Sequence, residues 1–162
     1  MVYNTTTNKP NFYNGTEWFN FDRTSAITLI VGVNYQGGKI AYIFQFGDAG
    51  FIVGETFGII AATTDQSGVF LWGCLDVNIP GADGTATGTA NQNTIDILQG
   101  CTDTGIEARI CGDLVLNRYS DWYLPSKDEL NKWYENRVAI GGFSSGLYMN
   151  SSEVGATKNF WL

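Results

Sequence analysis

The sequence contains no histidine, and this absence removes several kinds of catalytic and metal site. Ser-His-Asp and Cys-His catalysis use an imidazole as the general base, and many zinc sites use it as a ligand. Only three cysteines occur, and their spacing matches no metal-binding motif. No run of about 18 apolar residues is present, so we expect no membrane insertion.

Basic residues are also scarce. There are 9 Lys and Arg against 16 Asp and Glu, which gives a net charge of −7. Proteins bind nucleic acid largely by neutralising its phosphates with Lys and Arg. The acidic balance therefore argues against nucleic acid, anionic membranes and sulfated polysaccharides as partners.

Charged residues make up only 15% of the chain, against about 25% in an average soluble domain. Glycine is plentiful, with 20 residues, and aromatic residues make up 14%. This composition favours turn-rich β structure with polar, uncharged surfaces.

The length of 162 residues predicts one domain with a small appendage. Residues 1–26 form the predicted appendage, a small β unit in which Asn14-Gly15 is a strong hairpin signal. Its strands are predicted at 2–6, 11–14 and 17–21. A unit of this size is not stable alone in water, so we expect it to pack on the next domain or on copies of itself.

Residues 27–162 form the predicted main domain, which mixes strands with helices. Strands are predicted at 39–46, 57–62, 147–149 and 159–162, and helices at 93–98, 106–116 and 126–136. The clearest local signal is a capping box of Ser126 and Glu129, with Asp128 suited to the first turn of the helix. The predicted fold class is therefore α+β, with short antiparallel strands and two to three helices.

The cysteines leave two alternatives open. Cys101 and Cys111 form a bridge if two short helices meet there, or all three cysteines are buried free thiols. An odd number of cysteines cannot be fully paired within one chain.

Several segments together resemble a known family. The run from Asp121 to Asn131, with Leu124-Pro125-Ser126-Lys127 at its centre, resembles the signature of the Lcl C-terminal domain family, which caps bacterial collagen-like adhesins. Further similar segments are 35–42, 64–67, 72–74, 81–85, 92–94, 141–146 and 151–153. The resemblance covers roughly residues 33–162. It implies a C-type-lectin-like α+β fold, a homotrimer, and binding of extracellular polysaccharide.

Residues 1–22 resemble a different element, the short module that joins trimeric stalks to heads in fibre-like proteins of phages and bacterial surfaces. The combination implies the head of a phage virion or tail fibre, or of a bacterial appendage. The expected location is the virion or the extracellular surface.

The candidate ligand-binding residues are polar or aromatic, and no catalytic residue is predicted. They are Trp72, Asp83, Asn93, Tyr148, Asn150, Ser151, Ser152 and Glu153. The stretch 151–153 either presents hydroxyls and a carboxylate to a sugar or forms a turn network inside the fold. Trp72 is either a stacking platform for a sugar ring or a core aromatic, and Trp122 is expected to be a core aromatic packed against Leu130 and Trp133. Calcium is the one cofactor left open, with Asp76, Asn78 and Asp83 in a long loop at 76–92 as candidate ligands.

The leading hypothesis is a non-enzymatic, trimeric recognition head that binds a neutral cell-surface glycan. The alternative is a purely structural trimeric cap or virion decoration protein. A glycan-degrading enzyme is a third reading, although no catalytic constellation stands out in the sequence.

Overall fold

The computed structural model describes two compact units, Met1–Ile30 and Val31–Leu162. The described residues are 2–4, 9–13, 16, 18–20, 29–66, 71–74, 76–153 and 160–161. Of the short strands at the two ends of the chain, the backbone alone is described. The predicted domain boundary between residues 26 and 27 lies outside the described residues.

The first unit is a three-stranded antiparallel sheet with strand order β1-β2-β3. Its strands are β1 (Val2–Asn4), β2 (Lys9–Tyr13) and β3 (Trp18–Asn20). Val2 pairs with Asn11, and Phe12 pairs with Phe19. Three strands therefore lie in the three predicted regions, with β2 starting at Lys9. The Asn14-Gly15 turn lies outside the described residues.

The second unit contains a three-stranded antiparallel sheet, β4 (Asn34–Tyr35), β5 (Gly38–Ile43) and β6 (Gly58–Ala61). The β4–β5 connection is a two-residue turn in which Gln36 and Gly37 both have positive φ, 45° and 88°. This is the backbone geometry that hairpins prefer. A separate pair, β7 (Tyr148–Met149) with β8 (Phe160–Trp161), is also antiparallel.

The described part of the second unit contains four helices. They are α1 (Ala90–Gly100), α2 (Glu107–Gly112), α3 (Lys127–Glu135) and the single turn α4 (Arg137–Ile140). The α+β class is thus confirmed, with the extra short turn α4. None of these helices combines the length and the apolar character needed to cross a membrane.

Two helix boundaries differ by three residues or more from those predicted. Helix α1 starts at Ala90, three residues before the predicted start, because Ala90 is fully buried and its N–H donates to a distant carboxylate. Helix α2 ends at Gly112 because the chain turns there, and Leu116 pairs with Tyr119 in an isolated bridge.

Two apolar core clusters lie in the described part of the second unit. The first joins the loop after Cys74 to helices α1 and α2 through Ile79, Ala82, Ile97, Cys101, Ile106 and Ala108. The second joins the sheet to α3 and α4 through Ala41, Ala61 and Ile140, with Trp133 and Phe143 against them. Helices α3 and α4 therefore pack against the small sheet.

A disulfide links Cys74 to Cys101, and Cys111 is free. The predicted Cys101–Cys111 bridge is wrong, and so is the alternative of three free thiols. Cys101 directly follows α1 as its C-cap residue, where it is fully buried and its sulfur is bonded to Cys74 rather than to Cys111 of α2. The disulfide fixes that segment to the end of the helix.

Removing the disulfide by the double substitution Cys74→Ala and Cys101→Ala is expected to lower the free energy of unfolding by about 3–4 kcal/mol. The reason is that the bridge closes a loop of sequence separation 27 and restricts the unfolded chain. Urea denaturation followed by tryptophan fluorescence measures the loss.

The matched control is Cys111→Ala, which removes the free thiol and leaves the disulfide in place. Equal losses in the double variant and in this control would contradict the role given to the disulfide.

Candidate functional site

The capping box predicted at the start of α3 is present. The Ser126 hydroxyl accepts a hydrogen bond from the N–H of Glu129 at 3.3 Å, and the Glu129 carboxylate accepts from the N–H of Ser126 at 3.2 Å. The same hydroxyl donates to the carbonyl of Ala86 at 3.0 Å. The start of α3 is thereby tied to the long loop before α1.

The Glu129 carboxylate is itself completely buried. Besides Ser126, it accepts hydrogen bonds from the N–H groups of Gly88, at 2.8 Å, and Ala90. Burial raises the pKa of this carboxyl above its ordinary value, and the three N–H donors lower it in part. The carboxylate therefore stands at the N-terminus of α1, where helix N–H groups favour negative charge.

Four predicted site residues, Asn93 and the run Asn150–Ser152, extend this buried network. The Asn93 amide donates to the carbonyl of Gly84 at 2.6 Å and to the Ser151 hydroxyl at 3.3 Å. The Ser152 hydroxyl donates to the carbonyl of Gly84 at 2.8 Å, and its N–H donates to Asn150 at 3.0 Å. All four side chains are buried.

Two more predicted residues join the network from its other side. The Trp72 indole donates to the carbonyl of Asn150 at 2.7 Å. One Glu153 oxygen accepts from the N–H of Ile79 at 2.9 Å. The other Glu153 oxygen and the Asn150 amide nitrogen are buried without a partner among the described residues.

The structure thus gathers six of the eight predicted ligand residues, but inside the fold rather than at a surface. The reading in which Ser151 and Ser152 present hydroxyls to a sugar is corrected, because both side chains are fully buried and hydrogen-bonded to the fold. The other alternative, a turn network inside the fold, describes both residues. Asp83 is exposed on the loop, and Tyr148 lies elsewhere, in a cleft.

The candidate calcium ligands Asp76, Asn78 and Asp83 are exposed on the loop. Among the residues that the structure describes, the only group of three or more cysteine or carboxylate ligand atoms within 4.8 Å of one another is Cys74, Cys101 and Asp103. Two members of that group are the cysteines of the disulfide, so their closeness follows from the bond between them. Among the described residues, neither Asp76 nor Asp83 belongs to a group of this kind.

A cleft of about 540 Å³ opens beside the sheet of the second unit. Strand β6 and the residues after it line one side, and α2, α3 and the segment 119–125 line the other. Five aromatic side chains contribute to its walls: Tyr119, Trp122, Tyr123, Trp133 and Tyr148. The Trp122 indole donates to the carbonyl of Tyr119 at 3.1 Å, which fixes its orientation.

One rim of the cleft carries a polar network. The Tyr148 hydroxyl donates to one oxygen of Asp65 at 2.8 Å and accepts from the N–H of Ser144 at 2.7 Å. Burial is the main cause that raises the pKa of Tyr148. The network leaves a neutral phenol beside an exposed carboxylate.

The charged side chains of the described residues that line the cleft are all acidic. Asp65, Glu107 and Asp121 are the acidic residues, and no Lys or Arg of the described part lines it. Burial raises the pKa of the Glu107 carboxyl. Burial, and then the charge of Glu107, raise the pKa of the lining thiol Cys111 to about 12. This thiol is therefore protonated near neutral pH and is no nucleophile.

A second, neighbouring cleft of about 440 Å³ shares Leu130, Ser144 and Tyr148 with the first. It differs in charge, because it contains Arg137, whose guanidinium stacks on the Tyr134 ring at 4.1 Å.

Sequence reasoning missed most of the first cleft. The sequence favours a core position for Trp122, whereas the side chain is half-buried in the cleft wall. From the sequence, Asp65 is only part of the similar segment 64–67, and Asp121 is expected to cap a turn or hold the loop. Tyr119 and Glu107 carry no local signal, since the folded chain alone brings them beside β6.

The Cys111 thiol is expected to react with iodoacetamide at about pH 8 at least a hundredfold more slowly in the folded protein than in the unfolded chain. The raised pKa lowers the fraction of thiolate, which is the reactive form. Mass spectrometry of timed samples measures the rate.

Glu107→Gln should speed this reaction, because it removes a negative charge that disfavours the thiolate. The control Glu55→Gln makes the same charge change on an exposed loop residue outside the cleft and should leave the rate unchanged. Equal reaction rates in the folded and unfolded protein would contradict the conclusion that folding raises the pKa of Cys111.

Comparison with known proteins found no matching family model, no matching curated protein and no matching solved structure.

Proposed function

We propose that this protein is a non-enzymatic recognition domain that binds a cell-surface glycan in the aromatic cleft. The observation that carries the proposal is the set of five aromatic side chains around one cleft of about 540 Å³. Ligand sites typically measure about 300–1,000 Å³ and combine apolar walls with a few polar groups.

The chemistry of the lining suits a sugar. Flat aromatic faces pack against the C–H face of a pyranose ring, and Trp122 is half-buried with a fixed indole. Hydroxyl and carboxylate groups of Ser144, Tyr148 and Asp65 offer hydrogen-bond donors and acceptors at the rim. The amides of Gln36 and Gln66 add further polar contacts.

The resemblance of residues 33–162 to the Lcl C-terminal domain family supports a C-type-lectin-like fold as part of this proposal. The disulfide supports an extracellular or virion location, because disulfides persist in oxidising environments. The strands of the first unit are only three to five residues long, which supports its packing with copies of itself in a trimeric fibre.

One observation favours the structural cap as a second candidate. The loop between β5 and β6 exposes a group of apolar side chains, including Phe46 at 89% and Val53 at 82%. Exposed apolar patches of this kind often mark contacts between proteins. A cap would use such surfaces and leave the cleft without a ligand.

A glycan array, screened with and without calcium, tests the leading proposal. The protein is expected to bind a defined set of glycans, and Trp122→Ala is expected to weaken binding at least tenfold by removing the stacking surface. If glycan binding requires calcium, the loop at 76–92 is the candidate site for the ion.

Phe46→Ala is the control, since it removes an exposed aromatic outside the cleft and should bind as the wild type does. If the correctly folded wild-type protein binds no glycan on the array, the result favours the structural cap. Release of reducing sugar from a bound glycan would instead indicate an enzyme.

The proposed trimer predicts a particle of three times the chain mass of 17.8 kDa. Light scattering coupled to size exclusion, at micromolar chain concentration, measures it. A monomer under these conditions would count against the fibre-head assignment and leave the cleft itself unaffected.

A further inference from the structure

The cleft is lined by three carboxylates and by no basic side chain of the described part, although six Lys and Arg side chains lie in the described part of the second unit. Several of these are engaged elsewhere. Lys39 donates to the carbonyl of Ile140, Arg109 to that of Leu98, and Lys132 pairs with Glu135. The negative potential of the cleft is therefore not offset by a cation in its walls.

The aromatic rings of the cleft also favour a cationic ligand. The face of a Trp or Tyr ring attracts an ammonium group within about 6 Å of the ring centre. The cleft combines five such rings with the carboxylates of Asp65, Glu107 and Asp121. Rings and carboxylates together form the surroundings that an ammonium-bearing ligand prefers.

The rim carboxylates are accessible. Asp65 and Asp121 are exposed. One oxygen of Asp65 accepts a hydrogen bond from the Tyr148 hydroxyl at 2.8 Å. Among the described residues, no basic side chain forms an ion pair with either carboxylate. An incoming ammonium group would therefore compete with no basic side chain of the described residues for either carboxylate.

We propose that the glycan bound in this cleft is an amino sugar with unacetylated amino groups, held as ammonium against the Asp65 and Asp121 carboxylates and the neighbouring aromatic rings. The inference rests on the proposed glycan-binding function and names the class of sugar. Anionic glycans are disfavoured by the same charges.

The test compares three ligands of matched length: a glucosamine pentamer, the N-acetylglucosamine pentamer and penta-lysine. Isothermal titration calorimetry at about pH 5.5 keeps the amino groups of the ligands protonated. The glucosamine pentamer should bind at least tenfold more tightly than the other two. Its affinity should fall between about 20 mM and about 500 mM salt, since salt screens exposed charges.

Two variants locate the effect. Asp65→Asn and Asp121→Asn should each weaken binding of the glucosamine pentamer about five- to tenfold, because each removes one attraction of the ammonium group. Asp113→Asn is the matched control, an exposed carboxylate outside the cleft lining, and should bind as the wild type does.

The outcomes separate this inference from the proposed function. If the N-acetylated pentamer binds as tightly or more tightly, the amino-sugar inference is overturned and glycan binding stands. If penta-lysine binds as tightly as the glucosamine pentamer, the cleft recognises charge without sugar, and the inference is overturned. If none of the three binds, the inference fails, and the array decides whether glycan binding fails with it.

Discussion

The second unit depends on the hydrogen bonds that the buried Glu129 carboxylate accepts. It is fully buried and accepts hydrogen bonds from the N–H groups of Gly88, Ala90 and Ser126. One side chain thus closes the start of α3, supports the start of α1 and holds the loop between them. A buried carboxylate is costly without such partners, so the loop must keep its path for the charge to be tolerated. Gly88 fits this path because its φ is +95° and a Cβ there would meet the backbone of Gly50.

This network also supports the cleft. The cap at Ser126 follows directly after Leu124 and Pro125, which line the cleft, and the N–H of Ser151 donates to the carbonyl of Pro125 at 2.7 Å. The segment that carries Trp122 is thereby joined to a rigid polar core. A binding surface held in place before the ligand arrives loses less entropy on binding. Under the proposed function, the contribution of the buried polar residues to recognition is indirect: they fix the wall on which a sugar would stack.

The surface charge gives the proposals a common physical basis. The whole chain is acidic, and the cleft lining repeats that sign at short range. An acidic, aromatic cleft disfavours sulfated polysaccharides and favours neutral or amine-bearing sugars. The neighbouring cleft, where Arg137 stacks on Tyr134, differs in this respect and would select other groups.

The sequence by itself determined the local features: the capping box of Ser126 and Glu129, helix α3 to within one residue, the three short N-terminal strands and the α+β class. These depend on side chains only a few residues apart, so their physics is visible in a short window. Tertiary structure decided the partner of Cys101, the early start of α1, the burial of Ser151 and Ser152, and the lining of the cleft from β6 to Tyr148. Each of these depends on groups distant in the chain, and hydrophobicity or polarity alone does not reveal which of them meet.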